Sequence, residues 1–147
     1  MTLDRKLKLG VLVFSIIGFV DSLYLSWVKL SHQEAACLPG IGNCETVNSS
    51  QYASIYGIPI ALLGAGAYLA ILFVLYLEKR KSAWVEYAQF GVFGMSLMGV
   101  LYSAYLTYIE LAVLHAICPY CVISAFSMLF VFAFTLIRLL KKQTELN

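Results

Sequence analysis

The stretch AICPYCVISAFSMLFVFAFTLI, Ala116 to Ile137, holds no charged residue and opens on a Cys-x-x-Cys pair, Cys118 and Cys121. It is long enough to cross a hydrocarbon core, which takes about 20 apolar residues. Three more stretches meet that length. Leu9 to Val28 carries one charge, Asp21, while Ile58 to Leu77 and Tyr87 to Ile109 carry none. Backbone N–H and C=O groups have no water to bond in lipid, so each stretch must satisfy them internally as a helix. The expected fold is therefore all-α and transmembrane, a single four-helix unit with spans at about 9–30, 58–77, 87–110 and 118–140. The first stretch is too long for the apolar part of a signal peptide and is expected to be retained. Composition agrees, with 61% hydrophobic and 12% charged residues against about 25% charged in soluble domains.

Lysine and arginine set the expected orientation, because they are enriched in cytoplasmic segments. Arg5, Lys6 and Lys8 precede the first span, Lys79, Arg80 and Lys81 separate the second and third, and Arg138, Lys141 and Lys142 follow the fourth. Four spans put all of these on one side, leaving Lys29 alone on the other. Both termini are then expected in the cytoplasm, with the outer loop 31–57 and the short segment Glu110 to Ala116 outside the cell (inner) membrane. The outer loop has a turn-rich run, Leu38-Pro39-Gly40-Ile41-Gly42-Asn43. A short amphipathic helix is expected over Glu45 to Tyr52, and a break at Gly57-Ile58-Pro59.

All four cysteines, Cys37, Cys44, Cys118 and Cys121, fall on the outer side. A disulfide closing a Cys-x-x-Cys loop adds little chain-entropy stabilisation, and such motifs serve where a bond must open and close. Pro119 suits the first helical position, so Cys118 is expected near the N-cap, where the helix dipole favours a thiolate. Cys37 and Cys44 have six residues between them on the loop, placed to exchange with a soluble protein. Two structural disulfides or a Cys₄ zinc site are the rival uses of the same residues; redox exchange without a metal is the preferred reading.

No cysteine lies within or below the bilayer to carry electrons across, and no nucleotide-binding fingerprint is present. A quinone arriving through the lipid fits as acceptor, with Cys121 nearest to it. Asp21, the only ionisable residue inside a span, is by default a functional candidate. Ser50 and Ser54 are candidates to bond a quinone carbonyl, or to cap local turns. Tyr102, Tyr105 and Tyr108 form an interfacial belt or a stacking surface, and Tyr105 is taken as the ring contact. Gly18, Ser22 and Ser26, Gly64 and Ala67, and Gly91, Gly94, Ser96 and Gly99 read as helix-packing positions. Glu110 reads as a solvated helix end and His115 as interfacial.

The order of these features resembles the bacterial and archaeal branch of the vitamin K epoxide reductase family. The resemblance rests on Asp21-Ser22-Leu23-Tyr24-Leu25-Ser26, on Cys44 followed by Ser50 to Pro59, and on Cys118-Pro119-Tyr120-Cys121, and covers Leu9 to Leu140. It implies a four-helix bundle around a quinone (ubiquinone or menaquinone), capped by the first outer loop. It further implies that a thioredoxin-like partner attacks Cys37, that Cys44 forms a transient disulfide with Cys118, and that Cys121 passes electrons to quinone near Ser50. Many bacterial members carry a fused thioredoxin-like domain; here the partner is expected to be a separate extracytoplasmic or periplasmic protein. Where vertebrate enzymes carry an Asn and a Tyr, this chain has Ala53 and Ala125, so quinone reduction is expected rather than epoxide reduction. A DsbB-type oxidase is the alternative of the same chemistry, but carries its Cys-x-x-Cys in the first outer loop.

Overall fold

The structure is a computed structural model that describes residues 2–147 except Ala35, Leu38, Pro39, Ile41 and 81–83. Part of the turn-rich run from Leu38 to Asn43, and Lys81 of the basic loop, therefore lie outside the described residues. Among the described residues, four helices are long and apolar enough to span a membrane: α1 (Leu3–Leu30), α3 (Ile60–Lys79), α4 (Val85–Ile109) and α5 (Pro119–Leu146). The chain is an all-α transmembrane bundle. α1 and α5 run beyond the expected 9–30 and 118–140, because Lys, Arg, Glu and Leu at their ends are good helix formers. Ile58 and Pro59 leave the second span to form a strand.

Between α1 and α3 lies a compact cap. It holds α2 (Cys44–Ser49), a 3₁₀ turn (Gln51–Ala53), and an antiparallel hairpin of β1 (Ser54–Ile55) and β2 (Ile58–Pro59). Pro59 is the N-cap of α3. Tyr56 and Gly57 turn the hairpin with positive φ angles of 50° and 81°, the conformation two-residue hairpins favour.

α1 packs against α3 and α5, and α4 against α5, whereas α3 and α4 meet more sparsely. The packed seams follow the small residues. A Cβ on Gly18 would collide with the Tyr68 ring, and one on Gly99 would press Met128. Val11, Tyr68, Ile71, Leu75, Val92, Met128 and Val131 form the buried core. Beside it, Arg138 bonds Asp4 at 3.0 Å and Glu78 at 2.5 Å; Lys8 and Gln89 also reach Glu78. These bonds tie all four long helices together at the end opposite the cysteines.

Candidate active site

Lys29, in the last turn of α1, anchors the cap. Its ammonium donates to the carbonyls of Asn48 at 2.8 Å and Ala53 at 3.1 Å. The lone basic residue at this end thus has a structural task. Two tyrosines hold the other side of the cap. Tyr24 accepts the Ala36 N–H at 3.0 Å, Tyr120 donates to the Ala36 carbonyl at 2.8 Å, and their rings lie 5.1 Å apart. Both backbone groups of the residue before Cys37 are thereby fixed to the bundle.

Cys37 and Cys44 are joined by a disulfide, while Cys118 and Cys121 are free. Cys44 and Cys118 are both buried and belong to one apolar cluster with Val47 and Ala116. The backbone brings them together. Asn43, just before Cys44, donates its N–H to the carbonyl of Ile117, just before Cys118, at 2.9 Å. Gly42 permits that approach, because its φ of +87° is unfavourable for other residues and a Cβ there would strike the Ile117 carbonyl. Cys37 packs at the edge of the cluster, and Cys121 lies one turn into α5.

As the spacing predicts, Cys118 is the N-cap of α5 with Pro119 at the first helical position. It stands one residue outside the span. A hydrogen bond from the Cys121 thiol, helped by the N–H groups of Cys121 and Tyr120, holds its thiol below the ordinary range; burial and the Glu110 charge oppose this. Such a cysteine is both a competent nucleophile and a good leaving group.

Cys118 and Cys121 line a cavity of about 710 Å³ that extends between α3 and α4. Its floor is Tyr68 and Met128, the top of the packed core. Tyr68 is held there by a 2.8 Å bond from its hydroxyl to the Ser124 carbonyl. Gly91 and Gly94 of α4 face open space, and Gly94 lines the cavity. Gly18 of α1 belongs to a packing seam; Gly94 is a cavity wall thin of side chain.

Of the residues singled out for a ring ligand, Ser50 lines the cavity, while Asp21, Ser54 and Tyr105 do not. Ser50 also donates to the Val47 carbonyl at 2.8 Å, closing the end of α2. Asp21 is buried and one of its carboxyl oxygens has no partner, but Ser22 and Leu25 are the α1 residues that reach the cavity. Tyr105 is half exposed, and Tyr102, three residues earlier, supplies the lining ring. Those differences are of helix phase, which a run of apolar residues on every face does not reveal.

Glu110 corrects the reading of a solvated helix end. It is 4% exposed and lines the cavity. α4 does not stop there but continues as a π turn, Glu110–Leu114, which closes at the left-handed His115. The Glu110 carbonyl takes the N–H groups of His115 and Ala116, and its carboxylate takes that of Cys118 at 3.3 Å. One residue thus folds the link between α4 and α5 back onto itself. The sequence signal was its place eight residues before Cys118. His115 itself is exposed, as read.

Residues 9–136 match the family described as the vitamin K epoxide reductase family. The chain belongs to that family. It is also similar to the thiol-disulfide oxidoreductase LTO1 of Arabidopsis thaliana, 30% identical over 113 residues. That match takes in 73% of this chain but spans only 30% of the length of LTO1. The family match runs from α1 through most of α5, so it embraces the cap, both cysteine pairs and every wall of the cavity.

Proposed function

We propose that this vitamin K epoxide reductase family member is a membrane thiol oxidoreductase that carries electrons from a separate thioredoxin-like protein to quinone. A reduced partner attacks Cys37 and opens the loop disulfide. The freed Cys44 attacks Cys118 of a Cys118–Cys121 disulfide and releases Cys121. The partner's second thiol frees Cys37, and Cys37 retakes Cys44. The two reduced thiols of α5 then give two electrons and two protons to quinone as their disulfide re-forms. The uneven distribution of Lys and Arg supports cysteines on the extracytoplasmic face of the cell membrane, with both termini inside; residues 1–147 act as one four-helix unit. Disulfide formation outside the cytoplasm is the biological outcome.

The observation that carries this reading is the continuity of sulfur and cavity. A loop disulfide reaches from the cap edge to buried Cys44, Cys44 shares a cluster with Cys118, and Cys118 and Cys121 open onto an apolar chamber. The chamber fits a quinone: its walls are mostly apolar, with a few hydroxyls such as those of Ser50 and Tyr102. A quinone supplies a two-electron acceptor that diffuses within the bilayer. The chain's own residues hold the ring beside Cys121, exclude water, and keep Cys118 ready to exchange.

Detergent-purified protein with a dithiol donor and a soluble quinone analogue tests the route. Cys121→Ser is expected to abolish quinone reduction. Cys37→Ser is expected to spare turnover driven by a small dithiol and to block a protein donor. An unchanged rate in Cys121→Ser would overturn the mechanism.

A further inference from the structure

Among the described residues, Glu110 is the one carboxylate in the cavity wall, and it stands beside both free cysteines. Its carboxylate accepts the Cys118 N–H at 3.3 Å and faces the Cys121 thiol. The π turn that presents it is a rare conformation, and such turns recur at functional sites. A carboxyl group buried this deeply costs stability unless something requires it there. Capping alone does not, because the first N–H groups of a helix are ordinarily satisfied by the N-cap residue itself or by water.

We propose that Glu110 is a catalytic proton carrier for Cys121. When the Cys44 thiolate attacks the Cys118 sulfur, the Cys44–Cys118 bond forms and the Cys118–Cys121 bond breaks. Cys121 leaves with the electron pair and takes the proton of the Glu110 carboxyl. In the reverse step the Cys121 sulfur displaces Cys44 from Cys118 and hands its proton to the Glu110 carboxylate. No electrons leave the sulfurs in either direction, so the exchange needs no outside oxidant. Cys121 is the thiol that requires this help. It lies inside the helix and receives none of the backbone N–H groups that serve the Cys118 thiol, and the cavity around it is apolar. The same carboxyl stands where a proton is wanted when Cys121 gives its electrons to a bound acceptor. The titratable groups set against Glu110 are Cys118 and Cys121 of α5.

This assignment rests on the thiol relay proposed above, and its test contains neither quinone nor partner. In a Cys118→Ser chain with the loop disulfide intact, Cys121 is the sole free thiol. Its alkylation by iodoacetamide at neutral pH is followed with and without Glu110→Gln, which keeps an oxygen to accept the N–H of residue 118. A carboxylate that is only a bystander repels the forming thiolate, so its removal speeds alkylation. A purely structural acceptor is replaced by the amide, leaving the rate unchanged. A proton carrier gives the opposite sign: Glu110→Gln slows alkylation by about tenfold or more, and Glu110→Asp restores part of the rate. A faster or unchanged rate overturns the proposal. Should Glu110→Gln not fold, infrared difference spectra of the Cys118→Ser chain decide. Alkylating Cys121 is expected to produce a protonated-carboxyl band absent when isotope-labelled glutamate shifts it; no carboxyl change overturns the assignment. Failure here leaves the Cys121→Ser result standing, and loss of quinone reduction alone does not bear on the alkylation rate.

Discussion

At the basic end of the bundle, Arg138 is 6% exposed and bonds the carboxylates of Asp4 and Glu78, with Lys8 and Gln89 closing the group. At the cysteine end, the cap is held by neutral backbone bonds, by Lys29 and by one disulfide, above a cavity rather than a core. Lipid tails are as apolar as leucine, so apolar contact alone gives little drive to hold helices together. A charged clamp at one end lets the other end stay hollow. On the relay proposed above, it also leaves the cap on bonds weak enough to give way when the loop disulfide is attacked.

Removing the clamp is the strongest way to break that comparison. Arg138→Met leaves buried Glu78 with only the longer contacts from Lys8 and Gln89, and loss of one member of a buried pair costs about 3–5 kcal/mol. Thermal unfolding in detergent is expected to show that loss, with iodoacetamide reactivity of Cys121 unchanged below the transition. The companion chain Arg138→Met/Glu78→Leu is expected to recover most of the stability, because the stranded charge is gone. If the single replacement unfolds no earlier than the parent, the clamp is not what holds the hollow end.

The glycines sharpen the same contrast between packed and hollow regions. Gly18 lies under the Tyr68 ring, so Gly18→Ala pushes that ring upward into the cavity and costs about 1–3 kcal/mol of overpacking. Gly94 meets nothing within 4 Å. Gly94→Leu is expected to keep the melting temperature within about 2 °C, since no packed neighbour is disturbed and glycine is itself a poor helix former. It is expected instead to weaken quinone-analogue binding. Paired melting and binding curves on the two variants separate a seam from a chamber wall.

The spans and the clustering of cysteines were legible because each depends on a property summed over a long stretch. A run free of charge must be helical in lipid whatever its neighbours, and basic residues sort by loop whatever the packing. The position of Cys118 was legible too, since Pro119 fixes the start of a helix locally. What escaped was helix phase and closure at long range. Asp21 and Tyr105 were chosen where Ser22 and Tyr102 face the cavity, because apolar residues surround each span and erase the period that marks a buried face. Glu110 was misjudged because a charged residue at a span's end usually meets water. A π turn and a chain reversal through His115 instead close over it, and neither has a local composition signal. Lys29 looked like an exception to the charge rule until Asn48 and Ala53, far along the chain, supplied its carbonyls.

The smallest effect expected bears on how the cap is held at its movable edge. Tyr120 sits inside the Cys-x-x-Cys motif, yet its hydroxyl points to the loop and bonds the carbonyl before Cys37. Tyr120→Phe keeps the ring against Tyr24 and removes one exposed hydrogen bond, worth about 0.5–1.5 kcal/mol. Global stability is expected to stay within error. The edge of the loop alone should loosen, so a water-soluble phosphine is expected to reduce the Cys37–Cys44 disulfide about threefold faster, in line with loss of a bond of roughly 0.7 kcal/mol. Tyr24→Phe removes the acceptor of the Ala36 N–H and should act in the same direction. If both replacements leave that rate unchanged while Arg138→Met lowers the melting temperature, the cap is held by Lys29 and by the Cys44 cluster, and the tyrosines only cover it. If either replacement lowers global stability as much as Arg138→Met, the cysteine end is as much a clamp as the basic end, and the contrast between them fails.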